Sequence, residues 1–272
     1  MVERPHPELQ TTGATASPGE RWRAELAAWR IDDEILARVS ESPYRLTATQ
    51  LAPPRDDGDR LPHRLARERL SAGGSVLDVG CGAGAASLPL APPASHLLGV
   101  DESADLLAAY GDAAAEHGVA TRVFRGRWPD IADTVPPADV VVCHHVFYNV
   151  PDLGAFALAL SSHARSRVVV ELTLAHPWVP IGPLWQRFHG QPRPTGPTAD
   201  LAAAVLSEVG IPVRVERAPD RPHPVLGWEH DVDGTRRRLC LPPERADEVA
   251  AVMREQPLTR PHEVAVLWWD VE

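Results

Sequence analysis

Lysine is absent from this 272-residue chain, and all 27 basic residues are arginine. Against 37 acidic residues they leave a formal charge of −10 and a pI near 5.6. That balance counts against an obligate nucleic-acid binder, because contacts to phosphate need a positive surface. Cysteine is nearly as scarce. Cys81, Cys143 and Cys240 are odd in number and far apart, which suggests neither a disulfide framework nor a CxxC metal site, and no metal is expected. No apolar run approaches the roughly 18 residues of a membrane-spanning helix, and the start, MVERPHPELQ, has neither the basic residues nor the apolar core of a signal peptide. A reducing, cytoplasmic setting without a membrane partner is the expectation.

What is present is 44% hydrophobic residues, enough for one large α/β domain with appendages. The organising stretch is SVLDVGCGAGAASLPL, residues 75–90. Ser75 to Val79 suits a strand buried on both faces, interrupted by Asp78. Gly80, Gly82 and Gly84 follow, and Ala85 and Ala86 lead into a short helical turn that Pro92 and Pro93 end. Glycine permits φ > 0, and without a Cβ it lets a ligand lie on the backbone beside the free N–H groups of a helix start. Such a bend binds a nucleotide-like or carboxylate-bearing ligand, and the spacing does not choose between them. Gly80-x-Gly82-x-x-Ala85 also fits the dinucleotide fingerprint, with Asp101 placed to hold a ribose hydroxyl. A turn that only joins strand to helix is the alternative.

The rest of the chain reads as alternating strands and helices. Residues 1–19 have the composition of a mobile tail. Residues 20–39 predict one amphipathic helix of about five turns, stopped by Pro43 and packed on a sheet. Residues 53–59 are loop-like, and a helix over 61–70 precedes the first strand. Further strands are expected at 97–100, 119–124, 140–143 and 168–172, with helices over 103–117 and 153–163. This alternation predicts a doubly wound, mostly parallel sheet whose ligands bind at the carboxyl ends of the strands. Residues 175–197 are too long and aromatic for an idle connection. Beyond them come a helix at 199–209, strands at 212–218 and 264–271, and an insertion at 219–257 containing a helix at 243–256. The triplet Arg236–Arg238 reads as a solvated strand end.

Three segments, VLDVGCGAG, LLGVDES at 97–103 and ADVVVCHHVFYNVPDL at 138–153, resemble in order and spacing the class I S-adenosylmethionine-dependent methyltransferases. The resemblance covers about residues 62–175. It implies a seven-stranded, Rossmann-like methyltransferase fold, with residues 20–60 as an N-terminal helical cap and 61–272 as the catalytic domain. That family usually ends with an antiparallel strand pair, which the insertion at 219–257 leaves in doubt.

By resemblance, Asp78 and the backbone of Gly80, Cys81 and Gly82 would hold the amino-acid end of S-adenosylmethionine, Asp101 the ribose hydroxyls, and Glu102 the adenine side. Arg127 stands where many relatives carry an Asp, so the neighbouring Trp128 either faces the base or belongs to the core. Cys143 would adjoin the cofactor. His144, Tyr148 and Asn149 follow the fourth strand where the transferred methyl should lie, with His144 the candidate base or orienter and Tyr148 beside it. Strand alternation turns His144 and His145 to opposite sides. Glu171, His176 and His189, with Trp178, Trp185 and Phe188, could wall a pocket for a small acceptor. The expected partner is therefore a small molecule. An RNA or protein substrate, a non-catalytic binding role and an NAD-linked dehydrogenase are the competing readings.

Overall fold

The computed structural model describes residues 16–44, 60–219, 231–258 and 263–272. Most of the expected tail, the loop at 53–59 and the first part of the insertion lie outside them. Seven strands form one sheet: β1 (Ser75–Val79), β2 (His96–Asp101), β3 (Ala120–Arg125), β4 (Ala138–His144), β5 (Ala164–Thr173), β6 (Arg214–Pro219) and β7 (Glu263–Asp270), in the order β3-β2-β1-β4-β5-β7-β6. β1 to β5 are parallel, while β7 runs antiparallel to both β5 and β6. The insertion therefore does not prevent the closing antiparallel pair, which holds register from Arg214↔Trp268 to Pro219↔Glu263.

The chain order reverses between β1 and β4, and in open α/β sheets the ligand cleft lies outside the carboxyl ends at that point. Strands flanked by helices on both faces need apolar residues on both faces. Leu77, Val141 and Val170 face one apolar layer, and Val76, Val140, Val142 and Val169 the other. Asp78 is the exception within β1, fully buried at its carboxyl end.

The amphipathic stretch at 20–39 divides into two helices. Helix α1 (Pro18–Ala27) starts from a capping box at Ser17 and packs against α5 (Leu153–His163) and α7 (Ala199–Glu208) over the sheet. Its Trp22 is buried there and donates its indole N–H to Val150 O at 2.8 Å. The chain then breaks, because Asp32 takes an extended conformation (φ −57°, ψ 135°) before the single turn α2 (Asp33–Leu36). Ile31 and Ile35 enter a separate apolar cluster with Leu184 and Trp185 of α6 (Gly182–His189) and with Val249 and Val252 of α9 (Ala246–Glu255). This separate cluster is thus assembled from three distant parts of the chain. The arginine triplet lies in this insertion on helix α8 (Val232–Arg238), not on a strand end. Arg236 is buried and donates to Leu241 O at 2.6 Å, Glu41 at 2.6 Å and Asp233 at 2.7 Å.

A third departure bears on the site. No α-helix begins at the glycine bend: Gly84 at φ +97° is followed by turns and a 3₁₀ segment, Leu88–Leu90, with Pro89 inside it. Helix α3 (Leu61–Arg67) precedes β1, and α4 (Ala104–Glu116) follows β2 with Ser103 as its cap. Among the described residues, no helix is long and apolar enough to cross a membrane.

Candidate active site

The bend after β1 is fixed against β2 by its own backbone. The N–H groups of Gly80 and Cys81 both donate to Val100 O, at 2.8 and 3.0 Å, and that of Gly84 to Cys81 O at 2.8 Å. The N–H of Gly82 donates to Asp101 Oδ2 at 3.0 Å, while Ser103 N–H donates to Asp101 Oδ1 at 2.9 Å. Bend and carboxylate are therefore in direct contact. The expectation of free N–H groups at a helix start is corrected: these four are spent internally, and the bend offers a ligand the remaining lone pairs of Asp101. Gly80 and Gly82 have φ of +74° and +52°, and a Cβ on Gly80 would run into Val146.

Asp78 is fully buried and accepts from Ser87 Oγ at 2.6 Å through Oδ2, while Oδ1 has no hydrogen-bond partner among the described residues. Burial raises its carboxyl pKa to about 7, opposed by the Ser87 bond and reinforced by the charge of Asp101. Two acidic groups that repel one another across a glycine bend suit a ligand with a cationic amine or sulfonium at one end and a diol at the other. S-adenosylmethionine has that chemistry, so the residues present fit it.

Other expected cofactor residues are spread more widely. Cys81 and Cys143 are buried and burial pushes both thiols up, leaving them un-ionised apolar packing. Glu102 and Arg127 are exposed and 3.9 Å apart at the rim. Trp128 is buried in the core, edge-on to His163 with centroids 4.8 Å apart, so its ring offers no open face for a base.

A second polar group lies at the ends of β4 and β5. Glu171, 1% exposed, accepts from Arg60 at 2.5 Å on both oxygens and faces His145 Nε2 at 3.0 Å. Burial alone would raise its carboxyl; the His145 hydrogen bond and the charge of Arg60 outweigh burial and hold it below the ordinary carboxylate range. His144 is neutral because burial drives its pKa well down, and its ring faces His63 at 6.0 Å. Tyr148 closes a relay: Thr173 N–H donates to its hydroxyl, which lies 2.6 Å from Thr173 Oγ1, and that group donates to Ala175 O at 2.5 Å. This relay ties the loops after β4 and β5 together. Asn149 is exposed at the end of the turn Phe147–Asn149.

The aromatic segment divides in the same way. His176 stacks on Trp29 (4.0 Å, 16°), and burial lowers its pKa to about 3. Trp178 stacks on Tyr44 at 5.3 Å. Trp185 is fully buried in that separate apolar cluster, and His189, half-buried, has its Nε2 2.7 Å from Leu239 O, so these two do not join Glu171. Beside Glu171, a cavity of about 370 Å³ is bordered by Arg60, Arg64, Arg217 and Pro219. The sequence reading missed Arg60 and the pairing of His145 with Glu171. Arg60 lies 111 positions from its partner, and no local pattern marks such a contact.

Known proteins bear on this geometry. The methyltransferase domain family matches residues 53–197, more than half of the chain. The chain belongs to the S-adenosylmethionine-dependent methyltransferase family. A ubiquinone biosynthesis O-methyltransferase of Azorhizobium caulinodans is 35% identical over 81 residues, 30% of this chain and 32% of that protein. Another from Methylococcus capsulatus is 33% identical over 95 residues, 35% of this chain and 40% of that protein. This methyltransferase family member thus matches only about a third of the length of these curated relatives. In fold it is similar to magnesium protoporphyrin IX methyltransferase from Synechocystis PCC 6803, solved with bound SAH, at a TM-score of 0.51 and 16% identity over 78% of this chain and 80% of that one. The YcgJ protein of Bacillus subtilis gives a TM-score of 0.52 at 15% identity, over 78% and 97%.

Proposed function

We propose that this protein transfers the methyl group of S-adenosylmethionine to a small-molecule acceptor by in-line displacement. The observation that carries the reading is Asp101 in contact with the glycine bend, 3.0 Å from Gly82 N, with the unpartnered Oδ1 of Asp78 near the end of the strand that leads into the bend. When bound, the cofactor supplies a methyl on a sulfonium that already has a good leaving group. The chain's own task is to align the partners and exclude water. Asp101 would accept the ribose hydroxyls and Asp78 would face the cationic end, with Glu102 and Arg127 at the adenine rim. His144, Tyr148, Asn149, Glu171, His176 and Trp178 belong to the acceptor side in this reading, Tyr148 by holding the loop in place.

The relatives named as O-methyltransferases support a hydroxylated small molecule, and the acidic chain disfavours RNA. The test is product formation from methyl-labelled S-adenosylmethionine with the full chain and a panel of phenols, hydroxy acids, amines and structured RNA. Label transfer to small molecules is expected. Transfer to RNA alone, or cofactor binding with no transfer to any acceptor, would replace this reading with the nucleic-acid or binding-protein alternative.

A further inference from the structure

We propose that Ser87 and Tyr110 form a hydroxyl relay that holds Asp78 as the carboxylate partner of the α-amine of S-adenosylmethionine, so that binding of the amino-acid end of the cofactor is proton-linked. The inference rests on the methyl-transfer reading and deepens its cofactor side. Neither residue lies in the segments that carry the family resemblance. Ser87 stands at the head of the 3₁₀ segment Leu88–Leu90, but its hydroxyl caps no backbone N–H there. It lies 2.6 Å from Asp78 Oδ2 and 2.9 Å from Tyr110 Oη, and all three residues are fully buried. Tyr110 comes in from α4 past two glycines: a Cβ on Gly99 of β2 would lie 2.9 Å from its ring, and one on Gly84 of the bend 3.0 Å. The missing side chain of Gly84 thus makes room for the relay.

Counting hydrogens shows which state the relay favours. An ionised Asp78 only accepts, so Ser87 spends its one hydrogen on Oδ2 and Tyr110 donates to Ser87. A protonated Asp78 strands a hydrogen either way. On Oδ1 it meets no partner among the described residues, and on Oδ2 it turns the relay round, leaving the Tyr110 hydrogen without an acceptor. The relay therefore favours the carboxylate and leaves Oδ1 as the acceptor still to be filled. Burial opposes it, reinforced by the charge of Asp101, and the balance brings the Asp78 carboxyl to about 7. The titratable groups that act on Asp78 are Asp101 at the end of β2, Cys81 in the bend, Tyr110 on α4 and Cys143 on β4; among the described residues none of these is a cation. A ligand ammonium supplies the missing positive charge. On binding, a proton passes from Asp78 to water wherever the carboxyl was protonated beforehand, and no covalent bond to carbon changes. Ser87 and Tyr110 are positioning residues, acting through Asp78.

The test is calorimetric titration of the full chain, across pH and in buffers of different ionisation enthalpy, with two ligands. S-adenosylhomocysteine carries the α-amine; 5′-methylthioadenosine carries the ribose and base without it. For S-adenosylhomocysteine the wild-type affinity should fall about tenfold per pH unit below about pH 7, with close to one proton released near about pH 6. 5′-Methylthioadenosine should show neither effect, and this comparison needs no variant. Ser87→Ala should move the break upward by about one to two pH units, the equivalent of one hydrogen bond to a charged group. At about pH 7 its affinity for S-adenosylhomocysteine should drop about 5- to 80-fold, while 5′-methylthioadenosine binding stays within about threefold of wild type. The double variant Ser87→Ala/Tyr110→Phe removes the relay without stranding the tyrosine hydroxyl and should give the same profile. A wild-type affinity for S-adenosylhomocysteine that stays level below about pH 7, a break left in place by both relay variants, or the same pH dependence for the two ligands would overturn the inference while leaving the cofactor site intact. Absent S-adenosylhomocysteine binding in the wild type would instead remove the methyl-transfer reading.

Discussion

Replacing Asp101 with Ala should weaken binding of S-adenosylmethionine by about 10- to 150-fold, the equivalent of about 1.5–3 kcal/mol for hydrogen bonds to an ionised group. A carboxylate has about four lone-pair positions. Two at Asp101 are taken by the N–H groups of Gly82 and Ser103, which leaves two for a vicinal diol. The alanine variant also strips those N–H groups of their acceptor and loosens the bend itself. Asp101→Asn separates the two effects, because its amide oxygen still accepts from one backbone N–H while the charge is gone. Calorimetry with both variants, and circular dichroism to confirm that the fold survives, checks this. Equal affinity in wild type and Asp101→Ala would take the carboxylate out of the site.

The largest effect on stability should come from Arg60→Met. Arg60 and Glu171 are 7% and 1% exposed in their side chains, so solvent screens little of their attraction. Removing one partner leaves a buried carboxylate with His145 alone, a change that typically costs about 3–5 kcal/mol. Thermal unfolding should shift downward on the order of 10 °C for a chain of this size. The pH dependence follows from the direction of the Glu171 shift. Its pKa is depressed in the folded protein, so its stabilising contribution is present above the ordinary carboxylate range and is lost only as pH falls through the depressed value. The gap in melting temperature between wild type and Arg60→Met should thus be widest near neutrality and narrow in strong acid. A gap that widens on acidification would mean that Glu171 is not the partner responsible.

The strands that build the cleft could be read from the sequence because each is a short apolar run closed by a residue with one structural use. Gly80 ends β1, Ser103 caps α4 after β2, and Gly118 at φ +66° ends that helix. Helix α5 falls over 153–163 as expected, with Asp152 accepting from Ala155 N. Asp101 was legible as well, since it ends β2 a fixed distance beyond the bend. What could not be read depends on partners far away in sequence. The break between α1 and α2 is set by Trp29 stacking on His176 and donating to Gly196 O, over which local helical periodicity has no hold. Trp185 and His189 read as pocket residues by type, but Trp185 is buried against residues of α9 and His189 is tied to Leu239 O, contacts that no local signal marks. His144 and His145 take different partners, His63 and Glu171, while the left-handed turn at His145 has no local signal.

The central claim is that the glycine bend and Asp101 together form an S-adenosyl site, and the most direct test is calorimetric titration of the full chain with S-adenosylhomocysteine and, separately, with NAD. The account predicts saturable one-to-one binding of S-adenosylhomocysteine and no heat from NAD. Saturable binding of NAD with none of S-adenosylhomocysteine would contradict it.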